Sequence, residues 1–175
     1  MLNNIGKITM TDFQPIGIVH SSLQTKGAPP IQSSFSQAAG TIEIFPRYLE
    51  GLRDIGQFTH LIVLYHFHQS DSQALSEKPL VDGNANHGIF ATRHFNRPNP
   101  IGISYVALTG IEDGNLSVLG LDILNGTPVL DIKPYIPAFD VIPGAGSGWV
   151  TEKHVAQIRA AGAGSISGPA GGNTR

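Results

Sequence analysis

The stretch Gly88-Ile89-Phe90-Ala91-Thr92-Arg93-His94-Phe95-Asn96-Arg97-Pro98-Asn99-Pro100-Ile101-Gly102 places two arginines and two X-Pro steps between an apolar run and a glycine. Proline fixes φ and biases the residue before it toward extended geometry, so Arg97-Pro98-Asn99-Pro100 is expected to form a stiff, pre-shaped loop. A guanidinium on such a frame suits a carboxylate or phosphate, because its planar fork donates two parallel hydrogen bonds. A rigid surface connection with solvated arginines is the plain alternative.

Three other clusters carry chemistry. If Pro128 to Tyr135 is a strand, its period of two puts Val129, Asp131, Lys133 and Tyr135 on one face, with Leu130 and Ile132 on the other. That face reads either as a polar pocket wall or as a solvated surface with a weak Asp-Lys pair. Gly120 to Pro128 reads as a strand end and an Asn125-Gly126 turn, which exposes backbone amides and carbonyls to a closely approaching ligand. A plain tight turn, with Asp122 bonding the local backbone, would look the same. His66-Phe67-His68 sets two imidazoles on one strand face, a spacing compatible with metal ligation. The closely following glutamate of a cupin-like site is missing from Gln69-Ser70-Asp71-Ser72, so no metal is expected and the histidines read as buried or pocket-lining. There is no phosphate-binding P-loop, no dinucleotide glycine fingerprint and no nucleophile elbow.

The elements that must position these residues are mostly strands. Pro15 to His20 and Thr41 to Phe45 read as the first two, with a polar, proline-containing loop between them. Arg47 to Leu52 is a candidate helical turn, ended by Gly56. His60 to Phe67 is apolar on both parities and is expected to be a central strand buried on both faces. Gln69 to His87 is a long polar excursion, a possible lid. Ile103 to Leu108 and Leu116 to Leu121 flank Glu112-Asp113-Gly114-Asn115, a strong hairpin signal. Thr151 to Ala161 is expected to be a short helix capped by Thr151. Six or seven mainly antiparallel strands imply a mainly β domain, a small closed or strongly curled barrel with long loops and few short helices.

The whole chain bounds the answer. With 175 residues, 21 glycines, 12 prolines, 41% hydrophobic and 14% charged residues, it reads as one turn-rich domain. We divide it into an N-terminal extension over 1–14, the barrel-like domain over 15–150, and a helix with a flexible tail over 151–175. The absence of cysteine excludes disulfides, thiolate metal sites and cysteine nucleophiles. No apolar run reaches the length of a signal peptide or membrane span, so a cytoplasmic location is expected. A net charge of −2 argues against gripping nucleic acid over the whole surface. Arg47, Arg53, Arg93, Arg97 and Lys133 still allow a local patch that meets an anionic ligand or part of an RNA.

The blocks PIGIVHS, GTIEIFPRYLEGLRDIGQFTHLIVLYHFH, GIFATRHFNRPNPIG and GLDILNGTPVLDIKPYIPAFD, spread from Pro15 to Asp140, resemble the TsaA/TrmO family. The resemblance implies a small barrel-like methyltransferase that uses S-adenosylmethionine to methylate N6 of threonylcarbamoyladenosine beside the anticodon of transfer RNA, and it implies a homodimer. Carried over by residue, it implies a cofactor site of Gln32, His68, Gln69, Arg93, Ile103, Ile123, Leu124, Asn125 and Gly126. Arg93, Asp131, Lys133 and Tyr135 then become the candidate catalytic residues. The family usually has aspartate where Asn125 stands, and its long bacterial members carry a further C-terminal domain that this sequence is expected to lack. Both departures leave open a cofactor-sensing module without catalysis, and the His66-His68 pair leaves a metal-dependent barrel enzyme as a third class.

Overall fold

The computed structural model describes residues 12–25, 32–79, 81 and 85–164. Most of the expected N-terminal extension and the tail beyond 164 lie outside the described residues.

The fold is a closed barrel of six antiparallel strands in the order β1, β2, β7, β6, β3, β8. These strands are β1 (Gly17–Ser21), β2 (Ala39–Ile44), β3 (His60–His66), β6 (Ile101–Glu112), β7 (Asn115–Leu119) and β8 (Pro128–Pro134). Two short strands, β4 (Ser76–Glu77) and β5 (His87–Gly88), pair with each other inside the polar excursion. The helices are short: α1 (Pro137–Asp140), α2 (Glu152–Gly164), and 3-10 turns at Ser33–Phe35, Pro46–Leu52, Ile55–Gln57 and Ile89–Ala91.

Local chemistry explains the tightest connection. Asp113 and Gly114, at φ 46° and 80°, form the two-residue loop between β6 and β7, and both sit in the left-handed region that an Asp-Gly step tolerates. The barrel then closes through a short ladder in which Gly17 faces Val129 and Ile18 faces Pro128.

The interior is a single apolar cluster. Val19, Ile42, Leu61, Val63, Val106, Leu116, Val118 and Val129 are essentially inaccessible, and Tyr65 joins them. Each buried aliphatic side chain of this kind contributes about 1.5–3 kcal/mol.

Two expectations about strand faces are corrected. β3 is not buried on both sides: Leu61, Val63 and Tyr65 point inward, while Ile62, Leu64 and His66 are only half-buried. A closed barrel has one interior, so the second apolar parity lies on its outer wall. In β8, Val129 does not share a face with Asp131. Leu64 pairs with Asp131 but the next residue, Tyr65, pairs with Val129, so Leu130 is the extra residue of a β-bulge. The bulge turns both Val129 and Ile132 toward the core and leaves Asp131 and Lys133 outside.

Gly102 marks where backbone and ring must meet. A Cβ there would lie 2.3 Å from the Tyr65 ring, which the core holds in place. Gly102→Ala should therefore cost about 1–3 kcal/mol of unfolding free energy. Urea denaturation checks this, and an unchanged midpoint would mean that the ring moves freely.

Candidate active site

The arginine loop is stiff for more reasons than its prolines. Arg97 Nη1 donates to the carbonyls of Thr92 at 3.1 Å and His94 at 3.5 Å. Asn96 donates to Glu77 Oε1 at 3.1 Å, and the Ser70 hydroxyl donates to Asn96 Oδ1 at 3.1 Å. Arg97 thus braces the loop. Arg93 is left exposed, and its Nη1 donates to Gln32 Oε1 at 2.8 Å across 61 residues of sequence.

Behind this pair runs a polar thread into the core. Asp122 lies between Leu121 and Ile123, both buried, and its Oδ1 accepts from the wholly buried Ser104 hydroxyl. Ser104 Oγ also lies 3.3 Å from the Tyr65 hydroxyl. One hydroxyl proton cannot serve both neighbours, so donation to Asp122 leaves Oγ to accept from Tyr65.

Burial pushes the Asp122 carboxyl up to about 6 from 3.8. The Ser104 hydroxyl, the Asp122 and Ser33 amides and the Arg93 guanidinium oppose the rise. Burial, reinforced by the Asp122 charge, also pushes the Tyr65 hydroxyl well above its ordinary value. Tyr65 is therefore a neutral donor near neutrality, while Asp122 is a carboxylate poised to lose its charge in mild acid.

The turn after Asp122 is clasped to β1. Ser21 N–H donates to Asn125 Oδ1 at 3.1 Å, the Ser21 hydroxyl to the Ile123 carbonyl at 3.0 Å, and Gly126 N–H to the Val19 carbonyl at 2.8 Å. Ile123 is 1% exposed, so its side chain serves the core and only its backbone faces this clasp. Leu124 and Asn125 are half-buried. Gly126, at φ 76°, has open space where a side chain would be.

His68 does not share a strand face with His66, a third correction. β3 ends at His66, and His68 N–H bonds the His66 carbonyl at 2.7 Å, so the chain turns off the sheet. His68 Nδ1 instead lies 3.3 Å from Thr127 Oγ1, beside the clasped turn, with Gln69 half-buried next to it. Burial, and secondarily His66, lowers the His68 pKa, which keeps it neutral. Among the described residues, no group of three or more His, Asp or Glu side chains gathers in metal-binding geometry.

The remaining candidates lie on the outer wall. Ile103 pairs with Leu64, which pairs with Asp131; Tyr105 pairs with Ile62, which pairs with Lys133. Two strand spacings separate the outer rows by roughly 10 Å. Lys133 Nζ and Asp131 Oδ2 form an exposed ion pair at 2.6 Å. Tyr135, just past β8, meets Tyr105 edge-on at 5.7 Å, and Tyr105 N–H donates to Ser33 Oγ at 3.1 Å, next to Gln32. Contacts therefore run from Arg93 through Gln32, Ser33 and Tyr105 to Tyr135. Nothing in the sequence pattern marks Ser104 or Thr127 as site residues. Ser104's only signal was a hydroxyl on the inward parity of an apolar strand.

A small closed barrel whose loops gather an arginine, a glutamine and a half-hidden carboxylate has close structural neighbours. A crystal structure of TrmO from Pseudomonas aeruginosa superposes with a TM-score of 0.69 at 38% identity, covering 82% of this chain and 64% of that one. The probable S-adenosyl-L-methionine-binding protein of Pyrococcus abyssi is 45% identical over 153 residues, 87% of this chain and 82% of that protein. The tRNA (adenine(37)-N6)-methyltransferase of Escherichia coli is 35% identical over 156 residues, 83% of this chain and 66% of that enzyme. Residues 18–141 match the family described as the tRNA-methyltransferase O N-terminal domain, and the chain belongs to that family.

The Asp122 shift has a measurable sign. A carboxyl whose pKa rises on folding holds its proton more tightly folded than unfolded, so it favours folding below pH 3.8 and loses that contribution as pH rises to about 6. Relative to Asp122→Asn, the wild-type protein should lose on the order of 2 kcal/mol of stability across that window. Denaturation at a series of pH values checks this, and a flat difference would place the carboxyl in a solvated setting.

Proposed function

We propose that this protein is an S-adenosylmethionine-dependent methyltransferase acting on N6 of adenine 37 in transfer RNA, with the threonylcarbamoyl-modified base as its substrate. The observation that carries this reading is the Arg93–Gln32 contact, which joins two separate candidate cofactor segments beside Asp122 in a chain of this family. The Escherichia coli relative bears the name of that activity, and the Pyrococcus relative is named for the cofactor.

In this reading Gln32, His68, Gln69, Arg93, Ile103 and the Ile123–Gly126 turn would hold the cofactor. Ile103 is 41% exposed, so it offers an apolar surface. A neutral His68 and the turn's backbone offer uncharged polar contacts to a cationic sulfonium ligand. The cofactor supplies an electrophilic methyl group.

Transfer breaks the methyl carbon–sulfur bond, whose electrons return to sulfur as a thioether, and forms the bond to N6. The N6 lone pair is delocalised into the urea carbonyl, so its proton must leave as the new bond forms. Arg93 and Lys133 hold the carbonyl or carboxylate oxygens of the threonylcarbamoyl group, and Asp131 or Tyr135 orients the base or takes the proton. Positioning supplies much of the acceleration. The basic residues of one subunit are few, so two subunits pool them as a homodimer, in the cytoplasm where the RNA is found.

Arg93→Ala and Lys133→Ala should each lower turnover by more than about tenfold if each residue supplies over ~1.4 kcal/mol in the transition state. The test incubates labelled S-adenosylmethionine with transfer RNA bearing the threonylcarbamoyl group and with the same RNA lacking it. Label in the modified RNA alone supports the proposal. Cofactor binding without transfer to either RNA would point to a sensor instead.

A further inference from the structure

The segment after Asp140 touches both loops that supply the Arg93–Gln32 contact. On one side, the Trp149 ring stacks on His87 with centroids 4.2 Å apart and an 18° tilt, and its Nε1 donates to the Ala91 carbonyl at 2.8 Å. These partners frame the 3-10 turn Ile89–Ala91 that leads into Arg93. On the other side, the Arg159 guanidinium lies over the Phe35 ring at 5.2 Å, and Ile158 is 8% exposed. Phe35 belongs to the turn Ser33–Phe35 that Gln32 opens.

The two contacts are joined by a well-made corner. Thr151 Oγ1 accepts from His154 N–H at 3.4 Å at the start of α2, His154 Nδ1 accepts from Thr151 N–H at 3.3 Å, and the His154 ring lies 5.8 Å from Trp149. A single hydrogen bond between exposed side chains contributes too little to hold two long loops in register. A bridge that grips both loops lowers the entropy they must lose when a ligand binds.

We infer that residues 142–164, beyond the stretch matched by the family, act as a strap that fixes the 32–35 and 87–93 loops relative to each other, with Trp149 and Arg159 as positioning residues for the cofactor site. This rests on the cofactor reading given above. Neither residue touches the reacting atoms; each acts through the loop it grips.

The test combines amide hydrogen exchange with S-adenosylmethionine titration on the full chain. Trp149→Ala should speed exchange at Thr92 and His94, whose amides bond the Ile89 carbonyl and Thr92 Oγ1, without altering exchange at Val63 and Val106 in the barrel. It should also weaken cofactor binding by about tenfold. Trp149→Phe, which keeps the stack but loses the Nε1 donor, should fall between. Arg159→Ala should speed exchange at Phe35 and Ser36 and weaken binding similarly. Unchanged exchange at Thr92 and His94 in Trp149→Ala would overturn the strap. Faster exchange with wild-type affinity would overturn its positioning role. Faster exchange in a protein whose wild-type form binds no cofactor would instead overturn the cofactor reading and leave the strap standing as a loop tether.

Discussion

A six-stranded barrel has room inside for side chains and nothing more, and this single packing limit arranges the rest of the molecule. Val19, Ile42, Leu61, Val63 and Val106 are wholly buried there among the other residues of the core cluster. Anything that binds must therefore use the outer wall or the loops. The strand β3 shows the result most clearly, because its second apolar row has nowhere to hide and forms a half-exposed strip between Ile103 and Asp131. The long loops before β2 and before β6 then converge from opposite sides of the sequence, and Arg93 meets Gln32 where they do.

The core is not sealed off from that meeting point. Tyr65, Ser104 and Asp122 lead from the packed interior to the loop region, so a charge change near Arg93 is felt by groups that also hold the barrel together. Such a buried carboxylate costs stability when it ionises even though the Ser104 hydroxyl and the Asp122 and Ser33 amides bond it. Its place beside an exposed guanidinium fits a site that trades stability for electrostatic order. The exposed Lys133–Asp131 pair is different: it is screened by water, adds little to stability, and is free to exchange partners.

Much of this was legible in the residues. The Asp113-Gly114 loop, most of the strands and the rigid proline loop follow from local rules, because turns and alternation are written in neighbouring positions, and the strand count narrows the architecture to a closed or strongly curled barrel. The family blocks identified the fold's lineage. What local rules could not supply was anything decided across the sequence. The β8 bulge at Leu130 puts Val129 and Asp131 on opposite faces, and only the register against β3 reveals it. The end of β3 at His66, the Ser104–Asp122 bond and the docking of Trp149 on Ala91 likewise depend on partners 18 to 58 residues away or on a local turn without a strong sequence signal. Arg97 resembled Arg93 in sequence, yet its guanidinium is spent on the loop's own carbonyls.

The clasp at Asn125 has one more consequence, which concerns chemical ageing. Asn-Gly steps are the usual places where a chain damages itself, when the following backbone nitrogen attacks the side-chain amide and closes a succinimide ring. Here that nitrogen is occupied by the Val19 carbonyl, and the amide oxygen is held by Ser21 N–H. Both reacting groups are pinned in place by β1. The same bonds that set the turn against the barrel thus also slow its spontaneous conversion to aspartate or isoaspartate, and tie the lifetime of this turn to the integrity of the first strand.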